Sequence, residues 1–130
     1  MKAAKQNEGF TLMDGEAQHA AHPDTFYMPP IEEREGLKRG DLAKCIFEVP
    51  GYVGERMWVT VEATLGKGIY LGSLNNEAGA FELDDYEFLV KPYPIHCGDV
   101  VYFEAKHVIC AMTPEEMQEM VKEWTEGHKP

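Results

Sequence analysis

The strongest chemistry in this chain of 130 residues lies in three cysteines, Cys45, Cys97 and Cys110, and five histidines, and their spacing limits what they can do. A tetrahedral metal site needs several nitrogen, sulfur or carboxylate ligands that converge on one point. The available pieces are His19-x-x-His22, the dipeptide His96-Cys97 and His107-x-x-Cys110. On a strand, a separation of three puts the last pair on opposite faces, which is wrong for chelation. No metal and no other cofactor is therefore expected. An odd cysteine count without C-x-x-C suits reduced thiols in a cytosolic protein, each acting as a small buried apolar residue.

Nucleophilic catalysis finds little support. Ser73 is the only serine, it falls inside a strand-like run, and no G-x-S-x-G elbow surrounds it. Cys97 or Cys110, with His96 or His107 as base, would make a thiol enzyme only if the fold brought sulfur and ring within hydrogen-bond reach. Neither G-x-G-x-x-G nor G-x-x-x-x-G-K-[ST] occurs, so phosphate cradling is unsupported. Asp84 and Asp85 could divide acid and base roles only in a cleft that splits their pKa values. No residue is assigned to catalysis, and a Cys/His enzyme ranks last among the function classes.

Charge points to binding instead. Twelve Lys+Arg against 23 Asp+Glu give a formal net charge of -11. The one basic cluster, Arg34, Lys38 and Arg39, is interleaved with Glu32, Glu33, Glu35 and Asp41, so its field is largely cancelled. A nucleic-acid partner, which needs cations to neutralise phosphates, is excluded on this ground. A basic protein partner or a cationic ligand fits better. The most distinctive segment runs from Phe81 to Leu89, where Glu82, Asp84, Asp85 and Glu87 crowd around Tyr86 and Phe88. It reads either as a sheet edge whose acids face water or as a recognition surface in which the acids steer and the aromatics anchor. No oligomeric state follows from the sequence.

The elements that must position these groups are legible from periodicity and turn chemistry. No apolar run approaches the ~20 residues of a membrane span, and Lys2 and Lys5 are followed by Gln6, Asn7, Glu8 and Gly9 rather than a signal-like apolar stretch. A cytoplasmic protein is expected. Residues 1–36 read as an N-terminal arm, partly flexible, with Pro23, Pro29 and Pro30 interrupting any helix and one short acidic turn after Pro30. Residues 37–130 read as a single α+β domain. Leu42–Val49 is a strand behind the Gly40-Asp41 turn. Met57–Thr64 alternates cleanly, with Met57, Val59, Val61 and Ala63 on one face and Trp58 among the polar residues of the other. Gly66-Lys67-Gly68 turns the chain into Ile69–Leu74, which should pair antiparallel with it. Asp99–Ala105 follows a second Gly-Asp turn and is read as continuing toward Cys110. Thr113, Pro114 and Glu116 start a helix over 114–126. Its stripe Met117, Met120, Val121 and Trp124 predicts packing on the sheet, with a partner-binding helix as the alternative. The resulting fold class is α+β: a small, mainly antiparallel, strongly twisted sheet or partial barrel with a C-terminal helix packed on it.

The segments Gly54-Glu55-Arg56-Met57-Trp58-Val59, Gly72-Ser73-Leu74-Asn75-Asn76 and Gly98-Asp99-Val100-Val101-Tyr102-Phe103, with His107-Val108 behind them, resemble a bacterial family. It is the domain-of-unknown-function family numbered twenty-three fourteen, which has E-x-M-W-V, G-x-L-x-N and G-D-x-V-x-F elements in that order. The resemblance spans roughly Leu37 to Ala111. It departs where Asn75-Asn76 is followed by Glu77 rather than an early proline, and where Phe81–Pro94 is longer than usual. It implies a small α+β domain of bacteria or their phages and no established activity, with immunity-like proteins among its broad kin. Arg56, Trp58 and Asn75, with Asn76, would then line a concavity on the hairpin. The expected function is a non-enzymatic module that binds a protein partner, an inhibitor or immunity-type protein. The alternative is a small-ligand domain with a pocket near Trp58 and Asn75.

Overall fold

The computed structural model describes residues 6, 9–52, 54–76 and 94–127. Its elements are β1 (Thr11–Leu12), α1 (Gly15–Ala21), α2 (Ile31–Glu35), β2 (Leu42–Glu48), β3 (Glu55–Gly66), β4 (Ile69–Leu74) and β5 (Val100–Glu104). A 3-10 turn (Ala105–His107), β6 (Cys110–Met112) and α3 (Pro114–Gly127) complete the series. All strand pairs are antiparallel, in the order β1-β2-β3-β4-β5, with β6 sharing the outer edge of β2 with β1. The α+β class and the antiparallel sheet are as expected.

The alternation in β3 fixes the inside of the sheet. Met57, Val59 and Val61 are fully buried, opposite Cys45, Ala43 and Gly72, while Arg56, Trp58, Thr60 and Glu62 turn outward. Val101 and Phe103 of β5 extend this core, and Tyr70 stacks on Phe103 at 5.1 Å. Each such side chain contributes roughly 1.5–3 kcal/mol when fully buried. Gly72 is where the sheet closes most tightly. A Cβ there would stand 2.5 Å from Val59 Cγ1 and 2.6 Å from Thr60 O, beside the irregularity in β3 between Val61 and Ala63. Glycine in mid-strand marks such a close approach.

The two Gly-Asp turns share one construction. The backbone N–H of Asp41 donates to Lys38 O, and Asp41 Oδ2 accepts from the Lys38 N–H; Asp99 and His96 repeat both bonds. The glycines at the bends, Gly40 and Gly98, have φ of 95° and 92°, the left-handed region that favours glycine. Each turn then docks on the neighbouring strand through its glycine N–H, Gly40 on Val61 O and Gly98 on Leu74 O.

The sheet curls into a nearly closed barrel, and the seam is where the structure departs from sequence expectation. β5 does not continue to Cys110. After Glu104 the chain makes the 3-10 turn, in which the backbone N–H of Glu104 donates to His107 Nδ1, and β6 returns to pair with Leu42–Lys44 across the gap. From the other side, the Gln6 amide takes both backbone groups of Tyr102 on the edge of β5 away from β4, and five residues later Thr11 pairs with β2. Five residues span at most about 17 Å, so the two edges lie close.

Gly9–Gly36 is not a loose arm. Phe10 is in the core at 5.6 Å from Phe47, and Asp14 N-caps α1 by accepting from the Ala17 N–H. Arg34, only 7% exposed, stitches the seam: Nε donates to Pro29 O, and Nη1 donates to Ala105 O and pairs with Glu16. Tyr70 Oη donates to Arg34 O and accepts from the Leu37 N–H, which ties α2 to the barrel.

The C-terminal helix starts with the expected capping box, Glu116 N–H to Thr113 Oγ1 and Thr113 N–H to Glu116 Oε1. Its stripe is not the covered face that periodicity suggested. Met120, Val121 and Trp124 are 45, 51 and 64% exposed. Periodicity reports that a face is apolar and not that the fold covers it, and the helices packed on the 3-10 turn at the seam are α1 and α2.

Candidate functional site

The outer face of β2 and β3 gathers two of the expected site residues. Lys44 stands opposite Trp58, and Ile46 opposite Arg56, so Lys44 and Arg56 are diagonal neighbours on one surface. Lys44 Nζ lies 4.8 Å from the centroid of the Trp58 ring, a cation–π contact on a half-buried tryptophan. Cys110 of β6 is opposite Lys44 on its other side. The turn Thr25–Tyr27 forms a wall over this patch; the Thr25 and Phe26 N–H groups donate to His22 O, and His19 Nδ1 donates to Phe26 O at 2.6 Å. Between wall and sheet is a hollow of about 250 Å³ that brings together Thr25, Tyr27, Lys44, Arg56 and Cys110.

Asn75 and Asn76 do a different job. The Asn75 N–H donates to Trp58 O, and Asn76 Oδ1 accepts from the Trp58 N–H at 2.6 Å, so the pair carries the β3–β4 ladder past Leu74 and holds Trp58 in place. Neither borders the hollow on the Arg56 side. Asp84, Asp85, Tyr86 and Phe88 lie outside the described residues. Lys44 and the Thr25–Tyr27 wall had not been singled out from the sequence, although the register that places Lys44 against Trp58 also places Arg56 beside it.

Among the described residues no cysteine hydrogen-bonds a histidine, and no three His, Cys, Asp or Glu side chains converge on a point that could hold a metal. Cys45 is fully buried, and burial pushes its thiol well above the usual range. His107 is held below the ordinary imidazole range by burial and then by Lys106, against weaker opposite pulls from Glu104, Asp14 and Glu16. Its Nδ1 accepts the Glu104 N–H, which fits a neutral ring.

The second surface is α3. At about 100° per residue, Met117, Met120, Val121 and Trp124 share one arc, with Glu116, Glu119 and Glu123 along one border and Gln118, Lys122 and Thr125 along the other. The acidic border continues inward: Glu116 shares a hollow of about 270 Å³ with Glu32, Glu33, Asp41 and Lys38. No helix among the described residues is long and apolar enough to cross a membrane. Comparison of the chain with family models, with curated proteins and with solved structures gives no match.

Proposed function

We propose that the chain is a non-enzymatic binding module, an inhibitor or immunity-type protein of the bacterial or phage cytoplasm, that engages a basic protein partner through α3. The observation that carries this reading is the exposed stripe Met120, Val121 and Trp124 on a helix that bears five glutamates and one lysine. An amphipathic helix that lays anchors at i, i+3, i+4 and i+7 into an apolar groove is a recurring recognition mode. The acidic border and the hollow beside it favour a groove rimmed by Lys or Arg on that side, with the acids speeding encounter and the apolar anchors slowing release. In this proposal the segment Asp84–Phe88 supplies further acidic contact. The resemblance to the domain-of-unknown-function family agrees with such a role without adding an activity.

A photo-crosslinking amino acid at Val121, with one at Lys67 on the β3–β4 turn as control, tests the reading in cells that express the protein. The expected result is one basic protein captured from Val121 and not from Lys67, and rebinding of that protein, once purified, with an association rate that falls as salt rises. Equal capture at both positions, or a partner whose binding ignores salt, overturns it.

The small-ligand reading is favoured by one observation, the cation-lined hollow beside Trp58, which lies toward Arg56 rather than Asn75.

A further inference from the structure

We infer that the hollow between Lys44, Arg56 and the Thr25–Tyr27 turn binds a small oxyanion, a carboxylate or phosphate monoester carried on a compact aromatic or apolar group. The charge of the lining is the first reason. In a chain of net charge -11, this cavity is bordered by two cations and no carboxylate. The other described cavities are different: one has Glu32, Glu33, Asp41 and Glu116 around Lys38, and the larger, about 540 Å³ beside Phe10, contains Glu48 and no cation.

Among the described residues neither Lys44 nor Arg56 makes an ion pair, whereas Arg34 is paired with Glu16 and Lys67 with Glu35. The hairpin register holds them as diagonal neighbours on one face, near enough for one small anion to meet both. The sheet fixes both backbones, and the Trp58 ring fixes Lys44, so the arrangement exists before any ligand arrives. A guanidinium fork suits a planar carboxylate or a phosphate face, and an ammonium adds a point charge. The remaining polar groups, Thr25 and Tyr27 hydroxyls and the Cys110 thiol, can all donate. Phe26 and Ile109 supply apolar wall. At about 250 Å³ the hollow is just below the usual range for drug-sized ligands, which limits the occupant to a small molecule. The site takes no residue from α3 and stands on separate observations, so failure of the partner-binding proposal leaves it untouched.

The test titrates the full chain with benzoate, phenyl phosphate and, as the neutral counterpart, benzyl alcohol, read by amide NMR and by iodoacetamide labelling of Cys110 against exposed Cys97. The expected result is saturable shifts at Lys44, Arg56 and Cys110 with at least one of the two anions and none with the alcohol, together with slowed labelling of Cys110 alone. Which anion binds distinguishes carboxylate from phosphate recognition. Arg56→Gln, at an exposed position that should not disturb folding, and Lys44→Met should each weaken binding by about tenfold, the loss of one charge-assisted hydrogen bond. Absence of shifts with both anions at 10 mM (roughly the weak limit for a specific small-ligand site), equal response to benzyl alcohol, or unchanged binding in the Arg56→Gln protein overturns the inference.

Discussion

Replacing Arg34 with methionine keeps the apolar stem and removes the guanidinium, and the structure sets what that should cost. Pro29 O, bonded at 2.9 Å, loses its partner inside the seam, while Ala105 O, also bonded at 2.9 Å, keeps the Val108 N–H at 3.2 Å. A buried polar group left without a partner costs about 1–3 kcal/mol. The third bond, to Glu16 at 2.7 Å, involves a carboxylate that is 46% exposed and that water can take over, so it adds under about 1 kcal/mol. With the lost second bond at Ala105 O adding under about 1 kcal/mol, the sum is about 2–4 kcal/mol, a large part of the ~5–15 kcal/mol by which a domain is stable. At about 3–4 °C per kcal/mol for this chain length, the melting temperature should fall by about 6–16 °C. Thermal melts followed by circular dichroism measure this, and amide exchange should show protection lost first in α1 and the 3-10 turn. Glu16→Gln, which keeps a hydrogen bond, should shift the melt by only a few degrees. A melt of Arg34→Met within about 2 °C of the parent would refute the reasoning, as would a Glu16→Gln protein equally destabilised, since the ion pair and not the carbonyl clamp would then hold the seam.

Gly72→Ala should destabilise by about 2–4 kcal/mol in urea melts, because its Cβ would press on Val59 and the Thr60 carbonyl in a closed core; a neutral result would mean the β3 irregularity yields easily. His107 titrates lower in the folded chain than its free value near 6.5, so the unfolded chain takes up a proton first as pH falls. Its contribution is therefore complete above about pH 7 and is lost as pH drops through ~6.5 toward the folded value. His107→Gln, whose amide oxygen can still accept the Glu104 N–H, should flatten that part of the stability curve, and an unchanged curve would contradict the assignment.

Much of the sheet was legible because its determinants are local. Alternation in Met57–Ala63, the Gly66–Gly68 turn, the paired Gly-Asp starts and the Thr113–Glu116 capping box each lie within a few residues, and each recurs in the structure. The seam was not legible. It depends on Gln6 meeting Tyr102 and Arg34 meeting Ala105, pairs 96 and 71 residues apart that no spacing rule connects. Helix α1 carries a local signal, Asp14 as N-cap ahead of Glu16 and three alanines, but its docking depends on Gly15, whose missing Cβ leaves room for Met28 and Ile109. The cationic hollow joins Lys44, Arg56 and the Thr25–Tyr27 wall from separate parts of the chain, so composition, which reports only net acidity, conceals it.

The central claim, that α3 is a binding face and not part of the core, is tested most directly by Trp124→Ala. The protein captured by crosslinking at Val121 serves as the probe, and melting temperature and affinity are measured on the same sample. Trp124 is 64% exposed, so the account predicts a stability change within about 0.5 kcal/mol and a Kd for the partner raised by about thirtyfold, the loss typical of a buried aromatic anchor. A melt lowered by about 10 °C with affinity unchanged would contradict it and place the stripe in the core.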